Sequence, residues 1–406
     1  MSLFKEKING IAIGDIHWNA FDAITMYKEL QVGVLNYIDS LESLDIVVVT
    51  GDYWDCRTYM TSEAAIYGFQ FMTELVDKAI GKGCKFFRIL KGTLSHDKNQ
   101  LDIFTTFENR QDINFKIINN IYREELFPNY NVLYIPEEYM ENKNAYYDSY
   151  LSKEYNMIFG HGLFEDAIPV IKAQSSEVMI RKAPIFNVEE FNCTGDIIFS
   201  HVHEHMCIKD KAYYTSSFSR WVHGEEDDKG FISFEYSTST KKSKITFIVN
   251  ELARKFITKD FDQILNHMKA EEIVKLVETT RIKEGIDFLR VVFKVNVNDK
   301  ESVANWSVVK EYFNRNKYIK ILMNKFTKLT DLNINNHEEF ESIDEEIEAE
   351  VKKYWYLFDK SVDYIDKVVQ YMTEKGMKLD RDKLENMLSK GDMDVLKELT
   401  ELQVGK

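Results

Sequence analysis

Residues 46–55 read IVVVTGDYWD, an apolar run that ends in glycine and aspartate. Consecutive β-branched side chains are typical of a strand buried on both faces, as in the parallel sheets of α/β proteins. Similar runs recur, and strands are predicted at residues 10–13, 46–50, 86–90, 132–135, 157–159 and 197–199. Between them, 20–41 and 62–80 have the length and apolar spacing of covering helices. This alternation predicts a layered α/β fold.

The pattern changes near residue 250. Strands that complete the first domain, 1–250, are predicted at residues 212–216, 230–236 and 244–250. Residues 251–328 carry two helical patterns, a strand at 288–297, a further helix and a last strand, which predicts a small separate α+β domain.

The remaining residues are predicted to be mainly helical. A polar linker, 329–337, leads into the C-terminal region 338–406, which begins with a long amphipathic helix and contains a second helix at 380–402. The first helix exceeds the usual globular length, as in coiled coils and partner-docking helices. Docking on a partner and packing on the same chain are equally compatible with this pattern.

Composition excludes several classes of protein. The chain of 406 residues is 44% hydrophobic and 29% charged, which excludes a wholly disordered protein. No apolar run approaches the ~18 residues of a membrane span, and the first residues lack a secretory signal. The four cysteines form no C-x-x-C pair, which favours a reducing, cytoplasmic location.

The net charge of −15 is unevenly distributed. Residues 251–336 carry 16 Lys and Arg against 12 Asp and Glu, whereas residues 337–406 carry 11 against 19. Between 310 and 328, six basic residues are interleaved with aromatic ones. Basic side chains neutralise phosphates and aromatic ones stack on unpaired bases, so this stretch is a candidate DNA contact. Taken alone, a solvated helix face beside core aromatics explains it more simply.

Five polar motifs follow predicted strands and hold five of the nine histidines. They are Gly14-Asp15-Ile16-His17, Gly51-Asp52-Tyr53-Trp54-Asp55, Ser95-His96-Asp97, Gly160-His161-Gly162 and His201-Val202-His203. Ligands of open α/β sheets bind at the carboxyl ends of the strands. Carboxylate and imidazole together suit divalent ions such as Mn²⁺, and two close ions need a bridging carboxylate. The set predicts a two-metal site for phosphoryl chemistry.

Each motif has a simpler explanation when it is taken alone. An aspartate such as Asp15 or Asp52 after a strand is more often a turn former or helix N-cap than a ligand. His161, between two glycines, is by itself more typical of a satisfied loop histidine. The five motifs in series favour the metal site over these explanations. His205 and His223 follow no strand-end rule and are expected at the surface.

The ordered motifs resemble the signature of the calcineurin-like metallophosphoesterases: D-x-H, G-D-x-x-D, G-N-H-[DE], G-H and G-H-x-H. Within that superfamily the sequence is most similar to the SbcD-type nuclease subunits of bacteria and phages, the partners of SbcC-type ATPases. Residues 51–55 are similar to the G-D-aromatic-aromatic-D of that branch, and residues 214–230 resemble its strand–loop–strand. The motif match covers residues 10–236, and beyond it the likeness lies in domain order.

The resemblance implies a layered β-sandwich flanked by helices, a capping domain that contacts DNA, and C-terminal helices that dock an SbcC-type ATPase. The implied activity is that of a Mn²⁺-dependent DNA exonuclease, with endonuclease action open, in a cytoplasmic repair or recombination complex. A homodimer is also implied, with 58–79 as its contact; packing of this stretch on its own sheet is an equal alternative. Two rival functions remain: a stand-alone phosphoesterase for small nucleotides or phosphoproteins, and a scaffold that tethers the ATPase to DNA.

By motif position, the resemblance implies two ions, Mn²⁺ or alternatively Mg²⁺. The implied ligands are Asp15, His17, Asp52 and His203 for the first ion, and Asp52, Ser95, His161 and His201 for the second. His96 is expected to contact the scissile phosphate and assist the leaving 3′ oxygen, and Asp97 to orient the His96 ring. Ser95 stands where the family has asparagine, and its shorter hydroxyl is expected to bind the second ion weakly.

Overall fold

The computed structural model describes residues 5–138, 143–169, 185–261, 264–297 and 299–326. They belong to the first of two units, Met1–Leu332 and Asn333–Lys406, into which the chain divides. The predicted linker 329–337 and C-terminal helices 338–406 lie outside the described residues. Among the helices that are described, none is long and apolar enough to cross a membrane.

The first sheet contains six strands. They are β1 Lys7–Ile13, β2 Ile46–Val49, β3 Phe86–Leu90, β4 Asn114–Ile118, β13 Gly230–Ser237 and β14 Lys242–Val249. Their order is β14-β13-β1-β2-β3-β4. β1 to β4 run parallel, and β13 and β14 extend the β1 side in antiparallel pairing.

The second sheet also contains six strands. They are β5 Tyr122–Phe127, β6 Tyr130–Ile135, β7 Met157–His161, β10 Ile197–Ser200, β11 His205–Ile208 and β12 Ala212–Thr215. The order is β11-β12-β10-β7-β6-β5, with four central parallel strands and an antiparallel strand at each edge. A separate short ladder joins β8 Leu163–Phe164 to β9 Ile185–Phe186.

The two sheets pack face to face, and β2 shows how its sequence serves both sides. Ile46 and Val48 lie in the core between the sheets, together with Phe159 of β7. Val47 and Val49 point the other way, into the core beneath the helices. All four side chains are fully buried, which contributes about 1.5–3 kcal/mol each. The uninterrupted apolar run therefore reflects a strand covered on both faces.

Helices cover the outer faces of the sheets. They are α1 Ala23–Leu30, α2 Asn36–Ser40, α3 Glu63–Gly81, α4 Thr105–Glu108 and α5 Lys143–Leu151. A π-helical stretch, Gln31–Leu35, joins α1 to α2, so the helix predicted at 20–41 is one helical run with a wider turn inside it. Ser62 begins α3 by accepting a hydrogen bond from the N–H of Ala65 at 3.2 Å. The predicted α/β class is confirmed.

Residues 256–326 form a three-stranded domain with its own core. Its parallel strands are β15 Phe256–Phe261, β16 Phe288–Asn296 and β17 Ile319–Phe326, and its helices are α6 Ala270–Lys283 and α7 Lys300–Phe313. The prediction of a helix as the first element was wrong, because residues 256–261 form β15. Pairing with β16 supplies the backbone hydrogen bonds of β15, a tertiary contact that local sequence does not encode.

Candidate metal centre

The five motifs meet where parallel strands of both sheets end. Hydroxyl groups join the sheets at this edge: Ser200 Oγ lies 2.7 Å from Thr215 Oγ1 and also contacts the hydroxyl of Thr50. The N–H of His201 donates to Oδ2 of Asp15 at 2.9 Å, which links β10 to β1. Residues almost two hundred positions apart in sequence are thereby held side by side.

One donor group consists of Asp15, His17 and His203. The Nε2 atoms of the two imidazoles lie 3.1 Å apart. His203 Nδ1 lies 2.8 Å from Oε1 of Glu225, so Nδ1–H donates to that carboxylate and Nε2 faces His17. A histidine whose second nitrogen is held by a carboxylate is the usual arrangement of a metal ligand.

A second donor group consists of Asp52, His161 and His201. His161 Nε2 lies 3.4 Å from Oδ2 of Asp52 and 3.2 Å from Nδ1 of His201. The other nitrogen of His161, Nδ1, donates to the carbonyl oxygen of Thr50 at 2.9 Å, so Nε2 is the nitrogen available to bind a metal ion. The two groups adjoin, because His161 Nδ1 is 4.0 Å from Oδ1 of Asp15.

Both groups contain strained backbone. Four of their six residues have a positive φ: Asp15 at 48°, His17 at 54°, Asp52 at 48° and His201 at 104°. This left-handed conformation costs a non-glycine residue about 1–3 kcal/mol, and such residues cluster at functional sites. Tight turns do not by themselves require four left-handed residues at the same site, so the strain favours a functional role for these residues.

Two glycines make room for the second group. Gly51 has φ 102°, and a Cβ built on it would overlap Nδ1 of His161. A Cβ on Gly92 would overlap Oδ1 and the backbone nitrogen of Asp52. Any larger residue at either position would displace a donor, so both glycines are explained by the approach of the loops.

The ionisable side chains of the site shift one another's pKa values. Burial raises the pKa of Asp52, but His161 and His17 outweigh it and hold that pKa well below its ordinary value. Burial lowers the pKa of His161, yet the Asp52 carboxylate raises it to about 10. Likewise burial raises the pKa of Glu225 while the hydrogen bond to His203 brings it down to about 2. These carboxylates are therefore anionic across the neutral pH range.

Ser95, a predicted ligand of the second ion, is not brought into either donor group. Its side chain is exposed, because the chain turns between Gly92 and Asp97. Thr93 takes the inner position: its N–H donates to Oδ1 of Asp52 at 2.6 Å, and its hydroxyl lies 3.2 Å from Oδ2. The sequence predicted an oxygen of Ser95 at this position, whereas the structure brings the hydroxyl of Thr93, two residues earlier, to Asp52.

His96 lies at the site, but Asp97 does not orient its ring. The carboxylate of Asp97 accepts hydrogen bonds from the N–H groups of Trp54 at 3.0 Å and Gly92 at 2.8 Å. The Nδ1 of His96 instead contacts the carbonyl oxygen of Asp55. Asp97 thus braces two loops of the site, and the backbone of Asp55 sets the orientation of His96.

Glu137 is a buried acid at the site that sequence reasoning missed. It follows β6 and Pro136, and Oε2 lies 3.0 Å from Nδ1 of His201 and 3.5 Å from Nε2 of His161. The strand-end rule that selected the histidines also applies to β6, and it would have selected Glu137.

The donors fit divalent metal ions. Carboxylate oxygens and imidazole nitrogens form the mixed shell that Mn²⁺ accepts. The facing nitrogens of His17 and His203, 3.1 Å apart, and those of His161 and His201, 3.2 Å apart, each lie within the spacing of two ligands of one ion. A third candidate group, His17, Asp55 and His96, shares His17 with the first, so the donors form two separate sets, which favours two ions over one.

His205 and His223 lie outside both groups, and neither is fully exposed. The ring of His205 stacks on Phe247 at 4.0 Å, and that of His223 packs edge-on against Phe256 at 5.2 Å. The expectation that they are surface histidines holds only in part, because each is half-buried against an aromatic ring.

Comparisons with known proteins found no match, either to a protein-family model or to a curated protein. The functional conclusion therefore depends on the geometry of the site and on its motifs.

Proposed function

We propose that the chain is a Mn²⁺-dependent DNA nuclease subunit that hydrolyses phosphodiester bonds at a two-metal site. The observation that carries the proposal is the pair of adjoining donor groups, Asp15/His17/His203 and Asp52/His161/His201. The order of the motifs resembles the calcineurin-like metallophosphoesterases, and two helix-covered sheets packed face to face suit the layered sandwich of that superfamily.

The residues divide the work of holding two ions. Asp15, His17 and His203 would hold one, and His161 and His201 the other, with Asp52 shared between them. Bound divalent ions polarise the phosphodiester and lower the pKa of water, which supplies several kcal/mol of catalysis. Asp52 suits the shared position because its carboxylate lies 3.4 Å from Nε2 of His161 while its backbone carbonyl oxygen accepts a hydrogen bond from the N–H of His17 at 3.0 Å.

His96 is suited to proton transfer. Its Nδ1 contacts the carbonyl oxygen of Asp55, so that nitrogen carries a hydrogen. Nε2 then faces the site, 4.0 Å from Oδ2 of Asp52, and a quarter of the side chain is exposed to substrate. A proton held at Nε2 is placed for donation to the leaving oxygen of a phosphodiester.

DNA as the substrate is supported by the three-stranded domain. A cavity of about 440 Å³ is lined by aromatic and basic side chains, among them Phe256, Phe288, Lys317, Tyr318 and Lys320. The ring of Phe288 packs 5.3 Å from that of Phe21, four residues after His17. Cations for phosphates and rings for unpaired bases therefore lie next to the loop of the first donor group.

We extend the proposal to an SbcCD-type repair or recombination complex in the cytoplasm. Docking of the ATPase on region 338–406 concerns residues outside the described ones. For a homodimer, α3 and the preceding turn offer exposed Tyr59, Met60 and Ile66, whereas Phe71 and Leu75 of α3 are buried in the core of their own domain. A dimer contact would therefore use the first turn of α3 and not its whole apolar stripe.

Cleavage of end-labelled linear DNA tests the proposal. The full chain is incubated with DNA in Mn²⁺, Mg²⁺ or EDTA, with and without the ATPase partner, and in parallel with bis(p-nitrophenyl) phosphate. Metal-dependent shortening of the DNA is expected, and EDTA abolishes it. Hydrolysis of the small diester without any DNA cleavage would instead favour a stand-alone phosphoesterase, and DNA binding without hydrolysis of either substrate would favour a scaffold.

A further inference from the structure

We propose that Glu137 is a ligand of the second metal ion, in the place that the sequence assigned to Ser95. This inference rests on the proposed two-metal site. It adds a carboxylate that the motifs of the resembled superfamily do not contain, and it changes the expected strength of the second site from weak to strong.

Glu137 is placed among the donors of the second group. Its Oε2 lies 3.0 Å from Nδ1 of His201, 3.5 Å from Nε2 of His161 and 3.2 Å from the hydroxyl of Thr93. Ligands bound at ~2.1 Å to one ion are separated by roughly 3.0–3.5 Å. The separations around Glu137 fall in that range, as does the 3.4 Å between His161 and Asp52.

Burial of the Glu137 carboxylate costs free energy. Glu137 is 1% exposed, and a carboxylate taken out of water needs a cation or several hydrogen bonds. Its carboxylate oxygen Oε2 faces two imidazoles, at 3.0 Å from Nδ1 of His201 and 3.5 Å from Nε2 of His161. Both rings turn nitrogens towards it and towards each other, which suits a cation between them.

The neighbouring residue provides the contrast. Glu138 is also buried, at 4% exposed, but its carboxylate accepts hydrogen bonds from Asn120, from the N–H of Ile121 and from Tyr146. Those contacts explain Glu138 fully as a structural residue of the loop. The carboxylate of Glu138 therefore lies among hydrogen-bond donors, whereas that of Glu137 lies beside the imidazoles of the second donor group.

A carboxylate alters the electrostatics of the second site. An asparagine or serine oxygen is neutral, whereas Asp52 and Glu137 together place two negative charges around one divalent ion. Coulomb attraction favours tighter binding with each added charge. The second ion is therefore expected to bind at concentrations comparable to those that fill the first site.

Calorimetric titration of the chelator-stripped full chain with MnCl₂ tests the assignment. Wild type is expected to bind two Mn²⁺ per chain. Glu137→Gln keeps the shape and removes the charge, so it is expected to keep one site unchanged and to weaken the other at least ~10-fold. The matched control is Glu138→Gln, which is expected to bind two Mn²⁺ with wild-type affinity. Thermal unfolding in EDTA checks that both variants fold.

Two outcomes would overturn the assignment: Glu137→Gln binding two Mn²⁺ with wild-type affinity, or wild type binding only one. A plain ion pair between Glu137 and His201 predicts the first of these. If Glu137→Gln does not fold, Glu137→Asp is used instead, because it keeps the charge but moves the carboxylate away from the site by one methylene group. Unchanged Mn²⁺ affinity of the second site in Glu137→Asp would equally overturn the assignment. DNA cleavage is scored separately, so wild type that binds two Mn²⁺ and cleaves no DNA contradicts the proposed function alone.

Discussion

His161 shows at the scale of one residue how the site selects a side chain. It is the last residue of β7, and the Gly51 loop approaches its ring closely. Nδ1–H is fixed by the carbonyl of Thr50, which leaves Nε2 to face Asp52. An asparagine or glutamine side chain carries its polar atoms at a single end. An imidazole can be held in place by a hydrogen bond from one ring nitrogen while the other nitrogen binds a metal ion.

A pH prediction follows from the same ring. The pKa of His161 is raised to about 10, so the ring of His161 is protonated at neutral pH in the metal-free protein. Mn²⁺ must therefore displace that proton in order to bind. The apparent Mn²⁺ affinity is expected to fall by about 10-fold for each unit between pH 8.5 and 6.5. Titration calorimetry at both pH values measures this; equal affinities would contradict it. His267→Gln, an exposed histidine of the three-stranded domain, is expected to keep the wild-type pH dependence.

The sequence predicted most donors because the strand-end rule is local. Asp15 and His17 are two residues apart after a strand, and such spacing is visible without any structure. Ser95 and Asp97 were misjudged because the path of a loop decides which side chain points inward. Glu137 follows the end of a predicted strand as the other donors do, but it belongs to no recognised motif, and the packing of β6 beside β7 brings it to His161.

At the scale of elements, the site depends on how closely the loops after β2 and β3 approach. Gly92 begins the loop after β3 with its Cα against Asp52, and the N–H groups of Gly92 and Trp54 are tied by the carboxylate of Asp97. The positions of β2, β7 and β10 were predictable because each of these strands is a continuous buried run. β4 and β5 were not predicted, since β5 alternates buried and exposed residues over charged positions.

Gly92→Ala tests the loop contact. The added methyl group overlaps Asp52, so the free energy of unfolding is expected to fall by about 1–3 kcal/mol, and Mn²⁺ affinity is expected to fall with it. Gly81→Ala is the matched control: Gly81 ends α3 with open space around it, and the change is expected to be neutral or stabilising by up to ~1 kcal/mol. Denaturant unfolding in EDTA measures both. Equal stability of the two variants would show that the loops do not touch as described.

At the scale of the whole molecule, two packed sheets hold the two donor groups in place, and the three-stranded domain supplies a basic, aromatic surface beside them. Cation–π and ring contacts link the three-stranded domain to the site. The guanidinium of Arg254 lies 4.2 Å from the ring of Phe21 and 4.3 Å from that of Trp221. The ring of Trp221 in turn packs 5.9 Å from that of His17. Substrate held on the three-stranded domain would therefore be positioned relative to the first donor group.

Neutralising that surface should weaken DNA binding and leave chemistry intact. Lys317 and Lys320 are exposed, and Lys317→Gln with Lys320→Gln is expected to reduce the slope of log affinity against log salt by about 2. Hydrolysis of bis(p-nitrophenyl) phosphate is expected to stay at the wild-type rate. Lys241→Gln with Lys242→Gln, at the β13–β14 turn far from the strand ends of the site, serves as the control. Equal loss of DNA affinity in both double variants would contradict a specific role of this surface.

The most direct test of the two-metal site is the rate of DNA cleavage by Asp52→Asn beside wild type in Mn²⁺. The substitution keeps the shape of the side chain and removes the charge that we propose is shared by the two ions. Loss of several kcal/mol of metal-ion catalysis corresponds to a rate at least ~100-fold lower, with folding unchanged in EDTA. DNA cleavage by wild type in Mn²⁺ and its near-absence in the variant are the predicted results. Equal rates for the two proteins, or cleavage by wild type that persists in EDTA, would contradict the two-metal nuclease.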